Sequence, residues 1–255
     1  MDKTKLKFGL LKSKSDSHEK LLSFTYEKVY IPRFFTLKDR VKYIFNQGNS
    51  NSCSANAVTN QLLLSDKKQL INDVPSRLFI YVNSRLRDNG IVCPLSDCGA
   101  SFKSVFEALL MYKFPSEDEY KFDINNINKI PPIDVYRSSF KTLNPIFSYR
   151  RILPCIYSFK YILYVLKLPI MFGISIYENF LNLSKENDIL FEPKNNEEFM
   201  GMHAVLMIGF NEDTQTIDIL NSHGESFANS GYFRISYKYI LNKKLSFDFY
   251  VLNSE

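Results

Sequence analysis

Cys53 stands where a sequence can make a thiol reactive, at the expected start of a helix. Ser52 before it is a residue type that caps helices, and Ala55, Val58 and Leu62 recur behind it at helical spacing. The amide groups of a first helical turn lower the pKa of a thiol, and the thiolate is the nucleophilic form. Because the apolar stripe lies on another face, we expect the thiol to point outward, toward a cleft. For Cys53 taken alone, a buried structural cysteine is the alternative.

Two polar side chains could serve this thiol from the ends of neighbouring strands. His203, one of three histidines, begins the apolar run HAVLMIGF, and Asn221 ends the next strand after a turn at 211–213. An antiparallel pair of such strands would bring His203 and Asn221 side by side. The amide oxygen of Asn221 can then accept from the imidazole and fix its tautomer. A core histidine bonded to a backbone carbonyl is the alternative for His203.

Gln47 lies six residues before Cys53, on the loop that leads into the helix. Its side-chain NH₂ and the backbone N–H of Cys53 could together bind a carbonyl oxygen that becomes negative during acyl transfer. One such donor typically stabilises a transition state by about 3 kcal/mol. We therefore predict that Gln47 is an oxyanion donor.

The elements that must position these residues change from helices to strands along the chain. We predict helices from about Ser52, over 75–87, over 102–112 with Ser101 as cap, and over 157–166. We predict strands at 170–177, 203–210, 216–220, 231–235 and 247–252. Residues 113–150 contain four prolines and look irregular. Helices first and strands later indicate an α+β protein.

At these residues the sequence resembles the papain and cathepsin family of cysteine peptidases. QGNSNSCSANA resembles the segment that carries the oxyanion glutamine and the nucleophile, HAVLMIGF the histidine strand, and ILNSHGESFANSGYFRI the asparagine segment. The resemblance implies a two-lobed fold, with a helical left lobe mainly at 40–112, a β-rich right lobe mainly at 113–255, and the cleft between them. It also implies a protein or peptide substrate.

The resemblance extends to the xylellain-like branch and covers nearly the entire chain. PSRLFIYVNSRL, DCGASFKSVFEALL, LPIMFGISIYENF and SFDFYVLN fit that branch, and FGLLKSKSD resembles its short N-terminal arm. In such relatives the arm lies across the cleft. This implies that residues 1–28 form an inhibitory arm, a partner within the chain, ahead of a peptidase domain at 29–255.

Three positions depart from the family pattern. Ser50 replaces a cysteine, so the usual nearby disulfide cannot form, and Ser54 replaces an aromatic residue. His223 stands where the family has a tryptophan that shields the histidine–asparagine hydrogen bond from water. We interpret His223 as a partly exposed filler rather than a competing base, and we expect a weaker shield to soften that hydrogen bond.

Substrate-binding positions follow from the same resemblance. Gly99 and Ala100 match the paired small residues along which an extended substrate backbone can form hydrogen bonds. Met202 precedes the histidine and is expected to line the pocket on the acyl side, which suggests an apolar preference.

The composition of the chain limits the kinds of partner that we expect it to bind. The net charge of +5 comes from 32 basic and 27 acidic residues scattered along the chain, which argues against a nucleic-acid partner. We expect neither a membrane helix nor a secretory signal, hence synthesis inside a cell, and we expect no metal or cofactor. Four cysteines without a paired spacing indicate reduced thiols, with a Cys93–Cys98 bridge as the alternative in an oxidising compartment.

Taken together, the sequence predicts a cysteine endopeptidase that acts through a thioester. Two alternatives use the same residues. One is a catalytically impaired papain-like binding or regulatory module, suggested by His223 and by the arm. The other is an acyl transferase or deamidase with the same triad.

Overall fold

The fold combines helices from the first half of the chain with a large sheet built mostly by the second half. The computed structural model describes residues 2–14, 20–23, 29–66, 70–89, 95–141 and 147–254. The α-helices are α1 (Cys53–Ser65), α2 (Arg77–Asn89), α3 (Phe102–Tyr112), α4 (Ile133–Lys141), α5 (Ile156–Tyr161) and α6 (Tyr237–Leu241). The strands are β1 (Leu10–Leu11), β2 (Phe34–Thr36), β3 (Ala100–Ser101), β4 (Phe147–Arg151), β5 (Ile170–Tyr177), β6 (Ile189–Leu190), β7 (Phe199–Asn211), β8 (Thr216–Leu220), β9 (Tyr232–Ser236) and β10 (Ser246–Ser254).

The main sheet has the strand order β4-β10-β5-β7-β8-β9-β6, and β2 also pairs with β7. The long strand β7 pairs antiparallel with β5 on one side, where Ile174 lies opposite His203. On its other side it pairs antiparallel with β8, where Leu206 lies opposite Leu220. Because Asn221 follows directly after β8, this register brings it level with the start of the apolar part of β7. The predicted α+β class is confirmed.

Helix α1 is packed on both sides, by the other helices and by the sheet. Twelve of its thirteen residues are buried, and only Leu63 is partly exposed. Ser52 precedes the helix as predicted but its side chain makes no capping bond. Instead the Asn56 side chain donates to the Ser52 carbonyl at 2.9 Å. The expectation of an outward-facing Cys53 is wrong, because its relative exposure is 0%.

Most of the predicted elements are present. Helix α3 and strands β5 and β8 have the predicted bounds, and the Ser101 side chain accepts from the Ser104 amide at 3.2 Å. The predicted helix at 157–166 is a short α-helix that continues as a π-helical turn over Ile162–Leu166. Residues 113–150 are less irregular than expected, since they contain α4 and the start of β4.

The described start of the chain, residues 2–14, lies between the helices and the sheet; we call it the arm. Leu10 and Leu11 pair in parallel with Ala100 and Ser101, and Gly9 forms a parallel bridge with Met202. A single extended segment therefore touches both β3 and β7. In the described ranges, no helix has the length and apolar character needed to cross a bilayer.

Candidate active site

Cys53 is held at the first turn of α1 by a loop that is bonded to its surroundings at several points. The Gln47 amide donates to the Ser222 carbonyl at 2.8 Å, and the Ser50 hydroxyl donates to the Gln47 carbonyl at 2.7 Å. The amide of Asn51 donates to the Asp97 carboxylate at 3.0 Å. These bonds tie the loop to both halves of the fold, so the thiol has a fixed position.

The Cys53 sulfur lies beside the first residues of the histidine strand. The backbone amides of Ala204 and Gly9 face it and act to lower its pKa. His203, the residue before Ala204, is completely buried, and its Nδ1 atom has no hydrogen-bond partner among the described residues. The sulfur therefore lies beside the residue that follows His203, and among the described residues no hydrogen bond joins it to the imidazole.

The other ring nitrogen of His203 is bonded to Asn221. Nε2 donates to Oδ1 of Asn221 at 2.8 Å, and the backbone amide of Asn221 donates to the Gly231 carbonyl at 3.0 Å. Since Nε2 carries the proton, the neutral imidazole has its lone pair on Nδ1. This tautomer can take a proton from a thiol.

Gln47 is buried with a defined amide orientation. Its oxygen accepts from the Ser222 hydroxyl at 2.7 Å, and its NH₂ donates to the carbonyls of Ser50 at 2.6 Å and Lys7 at 3.2 Å. The Lys7 carbonyl belongs to the arm. The NH₂ group that sequence analysis assigned to an oxyanion is thus occupied by a carbonyl oxygen of the chain itself.

Burial governs the ionisation of the two candidate catalytic groups. It raises the pKa of the Cys53 thiol to about 11, although the surrounding backbone amides oppose the rise. It lowers the pKa of His203 to about 4, against the opposing effect of the Asn221 hydrogen bond. Both groups are therefore neutral near pH 7 beneath the arm, and a thiolate–imidazolium pair is disfavoured.

The three predicted substrate-binding residues line the path of the arm. The Ala100 amide donates to the Gly9 carbonyl at 3.1 Å, and Met202 bridges to Gly9. Gly99 has φ +85°, and a Cβ there would stand 1.8 Å from the Gly9 carbonyl oxygen. A larger residue at position 99 would therefore exclude an extended segment from this surface.

Sequence reasoning missed Tyr81 and Asp97, which support this surface. The Tyr81 hydroxyl accepts from the Gly99 amide at 3.0 Å and donates to Asp97 at 2.6 Å. Asp97 also binds the Asn51 amide and forms an ion pair with Lys7 at 3.2 Å. One carboxylate thus links the loop before α1, the β3 region and the arm. The sequence carries no signal for this, because the partners are brought together by tertiary folding.

His223 is not the partly exposed residue that was expected. Its relative exposure is 0%, and its ring stacks on that of His203 with centroids 4.8 Å apart. The rings of Phe8, Phe180 and Phe227 lie 5.5–6.3 Å from it. The His203–Asn221 hydrogen bond is therefore better shielded than expected, because aromatic side chains from the arm and from the sheet side enclose that bond.

Two further expectations concern groups that could bind metal or form a disulfide. Among the described residues, no group of three or more His, Cys, Asp or Glu side chains is arranged to hold a metal ion. The alternative of a Cys93–Cys98 bridge lies outside the described residues, since Cys93 falls in the range 90–94.

Comparison with known proteins finds cysteine proteases that are similar to this chain in sequence and in fold. The chain is 29% identical to an uncharacterized peptidase C1-like protein of Acanthamoeba polyphaga mimivirus, over 96% of this chain and 86% of that one. Its structure matches xylellain, a cysteine protease from Xylella fastidiosa, with a TM-score of 0.84, 26% identity, and coverage of 97% and 96%. It also matches a procathepsin B from Trypanosoma congolense, with a TM-score of 0.73, 15% identity, and coverage of 99% and 88%. No family model matches.

The chain therefore has the papain-like fold, as its resemblance to that family implied. The fold and the relatives together support a cysteine peptidase, which is a hydrolase.

Proposed function

We propose that this chain is a cysteine endopeptidase with Cys53 as nucleophile, His203 as base, Asn221 as orienter and Gln47 as oxyanion donor, and that its N-terminal arm inhibits it. We also propose the layout given by the sequence, with an inhibitory N-terminal segment at 1–28 that includes the arm, a left lobe mainly at 40–112 and a right lobe mainly at 113–255. One observation carries the proposal. The bond from His203 to Asn221 leaves Nδ1 of His203 without a partner, next to a strand residue that contacts the Cys53 sulfur.

The reaction follows from these positions. His203 takes the thiol proton at Nδ1, and the Cys53 thiolate attacks a peptide carbonyl carbon. Gln47 and the Cys53 amide stabilise the resulting oxyanion. The imidazolium then gives its proton to the leaving amine, and a thioester remains on Cys53. Water, deprotonated by His203, attacks the thioester and releases the acid and the thiol.

The arm occupies this site in a form that the sulfur cannot cleave efficiently. The group that Gly9 presents to the sulfur is an N–H donor. The preceding carbonyl oxygen, that of Phe8, lies near Gly201, 3.1 Å from where a Cβ of that residue would stand, whereas the Lys7 oxygen meets Gln47. The Phe8 carbonyl belongs to the same peptide group as the Gly9 N–H. It therefore has no hydrogen bond from Gln47, the proposed oxyanion donor. The arm can thus block the cleft without being cleaved by Cys53, as the inhibitory segment of a zymogen does.

Contacts of the arm before and after Gly9 hold it in the cleft and support an inhibitory role. Leu10 is 1% exposed and packs over Gly173, where an added Cβ would stand 2.6 Å from the Leu10 side chain. Lys3 donates to the Leu181 carbonyl at 2.9 Å, and the Ser13 amide donates to Asp248 at 2.9 Å. Because Leu10 fills an apolar space beside Ala100, we propose that a substrate places an aliphatic side chain there.

A substitution can displace the arm without shortening the chain. A Cβ on Gly9 would stand 2.1 Å from the Asn51 Cβ and 2.5 Å from the Asn51 carbonyl oxygen, closer than real Cβ contacts. Gly9→Val should therefore displace the arm from the cleft. Thr4→Val is the matched control, because Thr4 is an exposed residue of the arm.

The test of the proposed function measures hydrolysis of a dipeptidyl fluorogenic substrate by the Gly9→Val chain. Adding Cys53→Ala should abolish turnover, whereas adding Cys155→Ala, at an exposed cysteine, should leave it unchanged. Equal turnover with and without Cys53 would refute the proposal. An added amine that diverts the product to an amide would identify a transferase instead.

A further inference from the structure

The side-chain amide of Asn221 is bonded to an imidazole at each end. Its oxygen accepts from Nε2 of His203 at 2.8 Å, and its Nδ2 donates to Nδ1 of His223 at 3.0 Å. The two rings are stacked, with centroids 4.8 Å apart and planes 15° from parallel. Three side chains therefore form one continuous hydrogen-bonded unit.

This unit fixes where the protons lie. An amide oxygen only accepts and an amide NH₂ only donates, so Nε2 of His203 must carry a proton and Nδ1 of His223 must not. A neutral His223 then carries its proton on Nε2. The tautomers of both histidines are thus linked through the orientation of one amide.

We propose that His223 is a positioning residue of the proposed triad: it accepts from Nδ2 of Asn221 and thereby holds Oδ1 on His203. The inference rests on the proposed function and assigns a role to the residue that replaces the family's tryptophan. With Oδ1 held on Nε2, the lone pair of His203 stays on Nδ1, which is the atom left without a partner beside the Cys53 loop.

The reversed amide would disable the base. An NH₂ group against Nε2 of His203 would require a lone pair on that atom and so move the proton to Nδ1. That tautomer cannot take the thiol proton from Cys53. Among the described residues, Nδ2 of Asn221 donates to Nδ1 of His223, and a His223 that carries its proton on Nε2 can bond only this orientation of the amide.

The surroundings of His223 keep its Nδ1 available as an acceptor. Aromatic rings of Phe8, Phe180 and Phe227 enclose it, and its backbone pairs with that of Asn46. Burial and the neighbouring His203 imidazole lower the pKa of His223 well below its usual value, with the Lys7 carbonyl opposing. The ring is thus held neutral and oriented. The same bond excludes His223 as a competing base, because its lone pair is already used.

Histidine NMR of the full chain tests the hydrogen bonding without relying on activity. The chain has three histidines, so the ring ¹⁵N signals can be assigned with His223→Phe and His203→Asn variants. We expect both His203 and His223 of the native chain to carry their proton on Nε2 at neutral pH. We also expect the Nδ1-protonated form of His203 to appear in His223→Phe. A proton on Nδ1 of native His223 would overturn the inference.

Kinetics of the Gly9→Val chain test the consequence. His223→Phe keeps an aromatic ring but has no acceptor, whereas His223→Asn keeps an acceptor oxygen near the position of Nδ1. Leaving a buried donor unpaired costs roughly 1–3 kcal/mol, so we expect His223→Phe to lower kcat about 10-fold, with KM within about twofold. His223→Asn should restore kcat to within about threefold of the parent.

A failure of the role proposed for His223 can be distinguished from a failure of the proposed peptidase function. An equal loss of kcat in His223→Phe and His223→Asn, or no loss of kcat in either, would show that His223 only fills space. Either result would overturn the inference. Absence of turnover in the parent Gly9→Val chain, together with the expected NMR tautomers, would instead refute the proposed function. Thermal unfolding of each variant separates a folding defect from a loss of kcat.

Discussion

The backbone N–H of Gly9 faces the sulfur of Cys53 and acts to lower the pKa of its thiol. This contact joins the arm to the candidate nucleophile and leaves the sulfur completely buried. It explains why a site with a well-formed His203–Asn221 bond has a protonated thiol rather than an ion pair, because the arm removes the water that would stabilise both charges.

The ionisation of Cys53 should change when the arm leaves. In the full chain its pKa is about 11 because of burial, so alkylation by iodoacetamide should rise only above about pH 10. In Gly9→Val the midpoint should fall by several pH units. Peptide mass spectrometry can follow Cys53 against exposed Cys155, whose pKa backbone hydrogen bonds lower. The same midpoint in both chains would contradict the account.

Shortening Leu10 should release the arm in part. Leu10 is 1% exposed, and truncation of a buried leucine costs at least about 2 kcal/mol, so Leu10→Ala should raise the open fraction about 30-fold. Turnover of a small fluorogenic substrate by the full chain should rise accordingly. Leu110→Ala, at a residue 55% exposed, is the control and should have no effect. Unchanged turnover in Leu10→Ala would mean that the arm does not limit access.

Acid should weaken the hold of the arm. The pKa of His203 is about 4 under the arm, against 6.5 for a solvated histidine, so protons bind better to the open state. The closed state therefore loses stability as pH falls from about 6.5 to about 4, by up to about 3 kcal/mol for this group. Hydrogen exchange at residues 7–11, corrected for intrinsic rates, should show lower protection at pH 4.5 than at pH 7. Helix α3 should keep its protection, and an arm equally protected at both values would contradict the linkage.

Gln47→Ala should lower kcat about 100-fold in the Gly9→Val chain, because one donor to the oxyanion is lost. Exposed Gln215 provides the matched control, and Gln215→Ala should leave kcat unchanged. If Gln47→Ala raised KM and left kcat intact, Gln47 would be a binding residue rather than an oxyanion donor.

Asn221→Ala should lower kcat about 10-fold in the same background, since a net hydrogen bond to a buried imidazole contributes about 1.5 kcal/mol. The ¹⁵N signals of His203 should show a mixture of tautomers in this variant. A single Nε2-protonated form with unchanged kcat would contradict the orienting role.

Local patterns predicted the parts of the site that lie on neighbouring elements. The approach of His203 to Asn221 followed from two strands joined by a short turn, and the start of α1 at Cys53 followed from the residues around it. These relationships depend on short-range geometry, which spacing in the sequence records.

The remaining features depend on segments that are distant in sequence. Cys53 is buried because the arm folds back over it, and His223 is enclosed by Phe8, Phe180 and Phe227. An apolar stripe on α1 gave no sign that the helix is covered on all sides. Helix α4 was missed within 113–150 because the prolines and asparagines of that stretch favour an irregular segment.

The most direct measurement of the central claim is covalent labelling of the Gly9→Val chain with an irreversible thiol-reactive epoxide, with the modified peptides mapped by mass spectrometry. We expect Cys53 to be modified much faster than Cys155, and we expect His203→Ala to remove this preference. Labelling of Cys53 no faster than Cys155, or a preference that survives the loss of His203, would show that the arm covers a binding surface and not an active nucleophile.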